Sequence, residues 1–305
     1  MAYSREYKLL QATLFFSSFH QSNYKHVHAS LCTASQIAPS HCLLLFKING
    51  FVSIFSKYYC ILKLFNNVGD KNMRINKFLG ESGIVSRRGA DKWIEDGRIT
   101  INGEVATLGS KVEPGDEVRV DGKLVQREEK LVYIALNKPV GITCTTERHI
   151  EGNVVDFINH PLRIFHIGRL DKDSEGLLLM TNDGDIVNEI LRAENHHEKE
   201  YVVQVDQPIT EAFLNNMASG VEILDTKTLP CRVEKVSSTV FKIILEQGLN
   251  RQIRRMCSAL GYSVKRLQRI RIMNIHLGKM KVGEWRDLTE KERTELFALL
   301  NYKQQ

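Results

Sequence analysis

Five charges crowd into seven residues next to two apolar runs, and this arrangement constrains the chain more than any other feature. Arg169, Asp171, Lys172, Asp173 and Glu175 lie in GRLDKDSEGLLLMTNDG (168 to 184), between the strand-like RIFHI (163 to 167) and the strand-like LLLMT (177 to 181). Short apolar runs of this kind read as buried strands. The charges then sit on a connection between strands, where a rigid scaffold often presents reactive groups. Taken alone, such a run is more simply a solvated surface loop. The rest of the chain decides whether one of these carboxylates does chemistry.

A second segment, NRQIRRMCSALGYSVKRLQRIR (250 to 271), carries seven basic residues and no acid. At 100° per residue, Ile253, Met256, Cys257 and Leu260 share one helical face, and Arg251, Arg254 and Arg255 share the other. A solvated amphipathic helix usually interleaves Glu with Arg. An acid-free stripe points instead to phosphates or to a buried carboxylate.

At 305 residues, with 43% hydrophobic and 26% charged residues, the chain has room for two domains and a well-buried core. Its net charge of +6 is unevenly spread. Residues 1 to 72 hold seven Lys/Arg against two Asp/Glu, which leaves 35 against 34 for residues 73 to 305. Only local basic patches, not the total, argue for a nucleic-acid partner. The six cysteines (32, 42, 60, 144, 231 and 257) contain no CxxC pair, and His196-His197 lacks partners at metal-ligand spacing. This argues against a metal site or a disulfide framework and fits a reducing cytoplasm. No apolar run approaches the ~18 residues that span a bilayer. The chain has neither a Walker loop nor a GxGxxG loop, so no cofactor is expected.

Residues 1 to 72 show no sustained period and have only Glu6 and Asp70 as acids, so they are expected to form a poorly structured extension. An organelle transit peptide is acid-poor too, but it is normally Arg-rich, and Arg5 is the only Arg here. A stretch lying upstream of a natural start at Met73 is the simpler expectation.

From Met73 the pattern becomes regular. Ile75, Phe78 and Leu79 have helical spacing; Ser86 can cap a second helix whose Ala90, Trp93 and Ile94 form an apolar stripe, stopped by Gly97. ITI (99 to 101), the Asn102-Gly103 turn, EVAT (104 to 107), the turn at 114 to 116 and EVRV (117 to 120) follow, which makes a compact module over 73 to 125. Arg87, Arg88 and Lys92 cluster on its second helix, with Arg74, Lys77 and Arg98 available to join them. A solvated face balanced by Asp91, Glu95 and Asp96 also accounts for them. QREEK (126 to 130) reads as a linker. YIALNK (133 to 138) reads as a strand, Asp185 as the cap of a helix over 186 to 193, and KEYVVQV (199 to 205) and FKIILEQ (241 to 247) as strands. The mixture predicts an α+β domain over 131 to 295, with a tail over 296 to 305.

Two resemblances attach to these segments. RINKFLGESGIVSRRGADKWIEDGRITINGE (74 to 104) resembles the α-L RNA-binding domain. LNKPVG, GRLDKDSEGLLLMTNDG, KEYVVQV and GLNRQIRRM, in this order and spacing, resemble the RsuA/RluF family of ribosomal pseudouridine synthases. RRMCSALGY and RIRIMNI are most similar to its members acting on large-subunit ribosomal RNA. The match covers 73 to about 295, and residues 1 to 72 have no counterpart. The family fold that this implies is a mixed, largely antiparallel sheet with flanking helices.

The resemblance also implies roles. The Asp of GRLD, Asp171, is the nucleophile in breaking the uridine N1–C1′ bond and rejoining the base through C5, which suits a carboxylate that can attack and later leave. Whether it attacks the sugar or the base, or a glycal forms, stays open. Arg254 corresponds to the Arg that pairs with the nucleophile, and Tyr201 to the aromatic that stacks on uracil near the C5 proton. A core Tyr on a strand is the alternative for Tyr201. Ile253 becomes a wall of the pocket and Lys138 a support of the cleft floor. Arg169 takes phosphate or the gap left by the extruded uridine, while Arg251, Arg255, Arg87, Arg88 and Lys92 grip RNA. The implied partner is structured RNA, ribosomal or a tRNA loop, acted on by a cytoplasmic monomer that needs no metal or other cofactor. A non-enzymatic ribosome-binding protein would need the basic patches alone, and a glycoside hydrolase would need a second working carboxylate.

Overall fold

The computed structural model describes residues 73–126, 130–192 and 196–302, together with the backbone of 46–48 and 51–53. The chain divides between Val68 and Gly69. Of the first unit, strands β1 (Phe46–Ile48) and β2 (Phe51–Ser53) are described and pair antiparallel. The remainder of the expected extension over 1 to 72 lies outside the described residues.

The small module opens with β3 (Met73–Arg74), α1 (Ile75–Glu81) and α2 (Arg87–Glu95). Ser86 caps α2, its hydroxyl accepting from the Gly89 amide at 3.0 Å. Strands β4 (Ile99–Ile101), β5 (Glu104–Val105), β6 (Lys111–Val112), β7 (Val118–Val120) and β8 (Lys123–Leu124) follow. β6 returns to β3, and the other four form a sheet in the order β5-β4-β7-β8. Asn102 and Gly103 both have positive φ, which is the hairpin geometry that an Asn-Gly pair supplies. Ile75, Leu79, Ala90, Ile94, Ile99, Ala106, Val112 and Val118 make its core.

The large module contains β9 (Tyr133–Lys138), α3 (Val154–Ile158), β10 (Phe165–Ile167), β11 (Glu175–Thr181), α4 (Gly184–Leu191) and β12 (Lys199–Val205). It continues with α5 (Glu211–Ser219), β13 (Glu222–Ile223), β14 (Thr226–Lys227), β15 (Arg232–Lys235), β16 (Val240–Leu245) and α6 (Gln252–Ala259). β17 (Val264–Ile272), β18 (Ile275–His276), β19 (Trp285–Asp287) and α7 (Glu290–Leu299) complete it. Its main sheet runs β15-β16-β12-β17-β11-β9-β19, with β10 added to β11 and β18 to β17. β11 and β17 are parallel, and the other pairs of this sheet are antiparallel. The α+β fold and the largely antiparallel sheet are as the sequence implied.

The centre of the sheet is apolar on both faces because helices cover both. Along β9 and β11 alternate residues go to opposite sides. Tyr133, Ala135, Leu177 and Leu179 pack with Ile186 of α4 and Leu296 of α7, while Ile134, Leu136, Leu178 and Met180 pack with Val154, Val155 and Ile158 of α3. A third core, built on Val203, Phe241 and Ile243, lies beneath α5 and α6.

Three boundaries differ from expectation. Asp183, not Asp185, caps α4, because its carboxylate accepts from the Asp185 amide at 3.1 Å and the helix starts earlier than 186. The expected tail over 296 to 305 begins inside α7; Leu296 and Leu300 are buried, and Tyr302 donates to Asp183 at 2.7 Å. Glu175, expected on the charged loop, is the first residue of β11. The linker expected over 126 to 130 lies largely outside the described residues. The two modules meet directly where Lys77 of α1 pairs with Asp185 of α4 at 2.7 Å.

Candidate active site

The charged stretch is a short loop between β10 and β11, pinned at several points. Gly168 turns with φ +68°, and His166 Nδ1 stands 2.8 Å from its carbonyl oxygen. Leu170 is buried in the core beside α3, and its amide donates to Cys144 Sγ at 3.4 Å. The Gly141 amide donates to the Lys172 carbonyl at 2.7 Å, and the Ser174 amide to the Asp171 carbonyl at 3.0 Å. Anchors on both sides leave Asp171 at the tip with its side chain 33% exposed. Gly176 then lets β17 close in: it has φ +104°, and a Cβ there would lie 2.3 Å from the Arg269 carbonyl oxygen.

The basic helix α6 faces this loop, but not as the sequence implied. Arg251 Nη1 lies 3.6 Å from Asp171 Oδ2, and the same guanidinium forks onto Asp173 at 3.1 and 2.8 Å. Arg254, expected on Asp171, instead donates to the Asp173 carbonyl at 2.8 Å and to Ser174 Oγ at 3.2 Å, with Nε 3.4 Å from the Asp173 carboxylate. The reason is local geometry. Arg251 is the left-handed N-cap residue of α6, with φ 48°, which turns it towards the loop tip, while Arg254 lies one turn further along and meets the loop after Asp171. Arg255 is exposed and bonds to Asn250, so the three arginines do not act as one stripe. The Arg251 hydrogen bond is the main reason that the Asp173 carboxyl titrates below the usual carboxylate range.

The other expected residues scatter around this centre. Tyr201 is half-buried on β12 and packs against two cores, including the one that holds Leu170; its hydroxyl has no hydrogen-bond partner among the described residues. Ile253 is buried in the core beneath α6, in the cluster that Tyr201 flanks. Lys138 is fully buried, with Nζ donating to the Pro139 carbonyl at 2.8 Å. Burial lowers its pKa, and nearby Cys144, Asp171 and Asp173 partly oppose that shift. The Arg169 side chain is exposed at the loop.

On the small module Arg87, Arg88 and Lys92 are exposed along α2. Arg98 does not join them: it forks onto Asp121 and lies 4.6 Å over the Trp93 ring. Lys77 is engaged with Asp185.

Sequence reasoning passed over Arg269, which is buried on β17 with its guanidinium under the loop. Its signal was an Arg at an inward position of the strand VKRLQRIRI. Among the described residues, no three His, Cys, Asp or Glu side chains converge as a metal site, and no helix is long and apolar enough to cross a membrane.

The chain is similar to known proteins over both modules. A family model described as RNA pseudouridylate synthase matches residues 132–259, and the S4 domain model matches 73–118. The chain is 58% identical over 233 residues to the dual-specificity RNA pseudouridine synthase RluF of Escherichia coli K12, covering 76% of this chain and 80% of that one. It is 35% identical over 238 residues to ribosomal large subunit pseudouridine synthase B of Bacillus subtilis, covering 75% and 97%. A crystal structure of a pseudouridylate synthase superposes with TM-score 0.55 at 30% identity, covering 73% of this chain and 99% of that one.

Proposed function

The chain belongs to the RsuA/RluF family of RNA pseudouridine synthases, and on that premise we propose that it isomerises a uridine of large-subunit ribosomal RNA with Asp171 as nucleophile. Uridine isomerisation in RNA and an RNA-binding S4 domain come with the family. The target and the residue roles are the present reading.

The observation that carries this reading is the setting of Asp171. It tops a loop held from Leu170, Lys172 and Ser174, is partly open to solvent, and has the Arg251 guanidinium at 3.6 Å. A carboxylate so fixed meets a flipped uridine without reorganising. The N1–C1′ bond breaks, the detached base rotates, C5 bonds to C1′, the C5 proton leaves and N1 gains one. Atoms balance within the nucleotide, so no cofactor enters.

Tyr201 offers its ring to uracil and an uncommitted hydroxyl near C5. Arg251 takes over the ion-pairing role expected of Arg254, and Arg254 holds the loop at Asp173 and Ser174. Ile253 backs the ring, Lys138 supports the floor from beneath, and Arg169 meets phosphate or fills the vacated stack. Arg255 and the α2 set of Arg87, Arg88 and Lys92 contact phosphates, which position an RNA without specifying it. The protein acts as a monomer in the cytoplasm, a reading that the lack of any CxxC pair favours.

A tRNA loop is the second reading, favoured by the dual specificity in the name of the E. coli relative. Pseudouridine mapping on ribosomal RNA and tRNA from cells with and without the gene tests both. Loss of a large-subunit site upholds the primary reading, and loss confined to tRNA replaces it.

A further inference from the structure

The main sheet is barely joined at its middle. β11 and β17 pair at two positions, Glu175↔Gln268 and Gly176↔Arg269. Arg269 sits where that ladder stops. Its Nε donates to the carbonyl of Leu177, the first residue beyond the last pair, at 2.7 Å. Its Nη1 reaches the carbonyl of Arg169, two residues before Asp171, at 3.5 Å. On the other side of β17, Arg269 stands directly opposite Tyr201 in the antiparallel pairing with β12, and opposite residues of such a pair share a face. The Arg269 side chain thus ties β11 to the loop of Asp171, while its backbone lies in register with Tyr201 on the neighbouring strand.

Stability does not explain this cation. Arg269 is 4% exposed, forms no salt bridge among the described residues, and keeps Nη2 buried without a hydrogen-bond partner. It also lies near the fully buried Lys138, and the two like charges oppose each other. Burying a charge that has no ion partner costs free energy rather than supplying it. An unmet buried donor in a native fold calls for another reason.

We propose that Arg269 is a positioning residue for the isomerisation, a strut that fixes the Asp171 loop against the strand carrying Tyr201. The inference rests on the roles given above to Asp171 and Tyr201. The planar fork matters because it holds two carbonyls at a set angle, which a lysine cannot do. Displacing a catalytic group by ~1 Å costs on the order of 10²-fold in rate.

The test uses the full chain with Arg269→Lys and Arg269→Gln, checked for folding by circular dichroism and melting. Single-turnover rate at saturating RNA, RNA affinity and amide exchange over residues 168–175 are then compared with the unmodified protein. Arg269→Lys is expected to bind RNA within about twofold, react at least about tenfold more slowly, and exchange faster in that loop. A normal rate in folded Arg269→Lys, or a loss carried wholly by RNA affinity, overturns the strut. Should neither variant fold, amide exchange in the unmodified protein decides. The loop must then exchange as slowly as β11 and β17, and rapid exchange refutes the proposal. Asp171→Asn runs alongside: turnover by that variant overturns the parent assignment, whereas inactive Asp171→Asn with normal Arg269→Lys removes the strut alone.

Discussion

Arg251 Nη1 lies 3.6 Å from Asp171 Oδ2, while its other terminal nitrogen bonds to Asp173 at 2.8 Å. One guanidinium therefore serves two carboxylates on the same loop, and Arg254 holds the loop just after them, at the Asp173 carbonyl and Ser174 Oγ, from the next turn of the helix. Asp173 is the counterweight of the arrangement: it occupies most of the fork and leaves Asp171 a single longer contact.

Two substitutions separate these arginines. Arg254→Lys loses the paired contacts to the Asp173 carbonyl and Ser174 Oγ, and the loop loosens. Its single-turnover rate is expected to fall by about 10²-fold with RNA affinity little changed. Arg251→Gln removes the cation nearest Asp171 and should slow the same step. A normal rate in both reduces the pair to phosphate contacts. The Asp173 pairing adds no pH dependence across the neutral range. Its carboxyl titrates below the usual value in the folded protein, so the stabilisation is present above that value and is lost only as pH falls through the depressed pKa.

Tyr201→Phe keeps the ring that packs against both cores but deletes the uncommitted hydroxyl. Folding should be unaffected, and single-turnover product release should become slow or vanish. Kinetics equal to the unmodified protein would confine Tyr201 to packing.

Replacing Arg87, Arg88 and Lys92 together by Ala tests the small module as a grip. These side chains are exposed on α2. If all three meet phosphates, affinity weakens and the salt slope of binding becomes shallower by roughly 2 to 3 units. The rate at saturating RNA should change far less, because Asp171, Tyr201 and Arg254 belong to the other module. Unchanged affinity with a lost rate would make the small module part of the active site.

Tyr302→Phe probes the end of the chain. Tyr302 and Tyr133 both donate to Asp183 Oδ2, at 2.7 and 2.6 Å. Losing one such bond to a carboxylate should cost about 1.5 to 3 kcal/mol of stability, read as a lower melting temperature. No change in melting would show that α7 is held by its apolar residues alone.

Much of this was legible in the sequence. YIALNK, ITI and KEYVVQV become strands with the expected bounds, since each run is bounded by turn or polar residues and shaped by burial. Ser86 was recognisable as a cap because its hydroxyl acts within three residues. The partner of Asp171 was not legible. Arg251 and Arg254 share a motif, and the left-handed backbone of Arg251 that decides between them depends on how α6 meets the loop. Arg269 escaped for a similar reason: its neighbours Leu177 and Arg169 are distant in sequence and come together only through the parallel pairing at Gly176. The final helix was missed because its sequence is largely charged, and its burial rests on a few residues such as Leu296.

The claim that Asp171 is the nucleophile has a direct measurement: C5 tritium release from uridine-labelled ribosomal RNA under single-turnover conditions, comparing Asp171→Asn with the unmodified chain. The amide keeps the shape of the loop tip but cannot attack and leave, so release should be abolished while RNA binding survives. Release at an undiminished rate from a folded, RNA-bound Asp171→Asn would contradict the account.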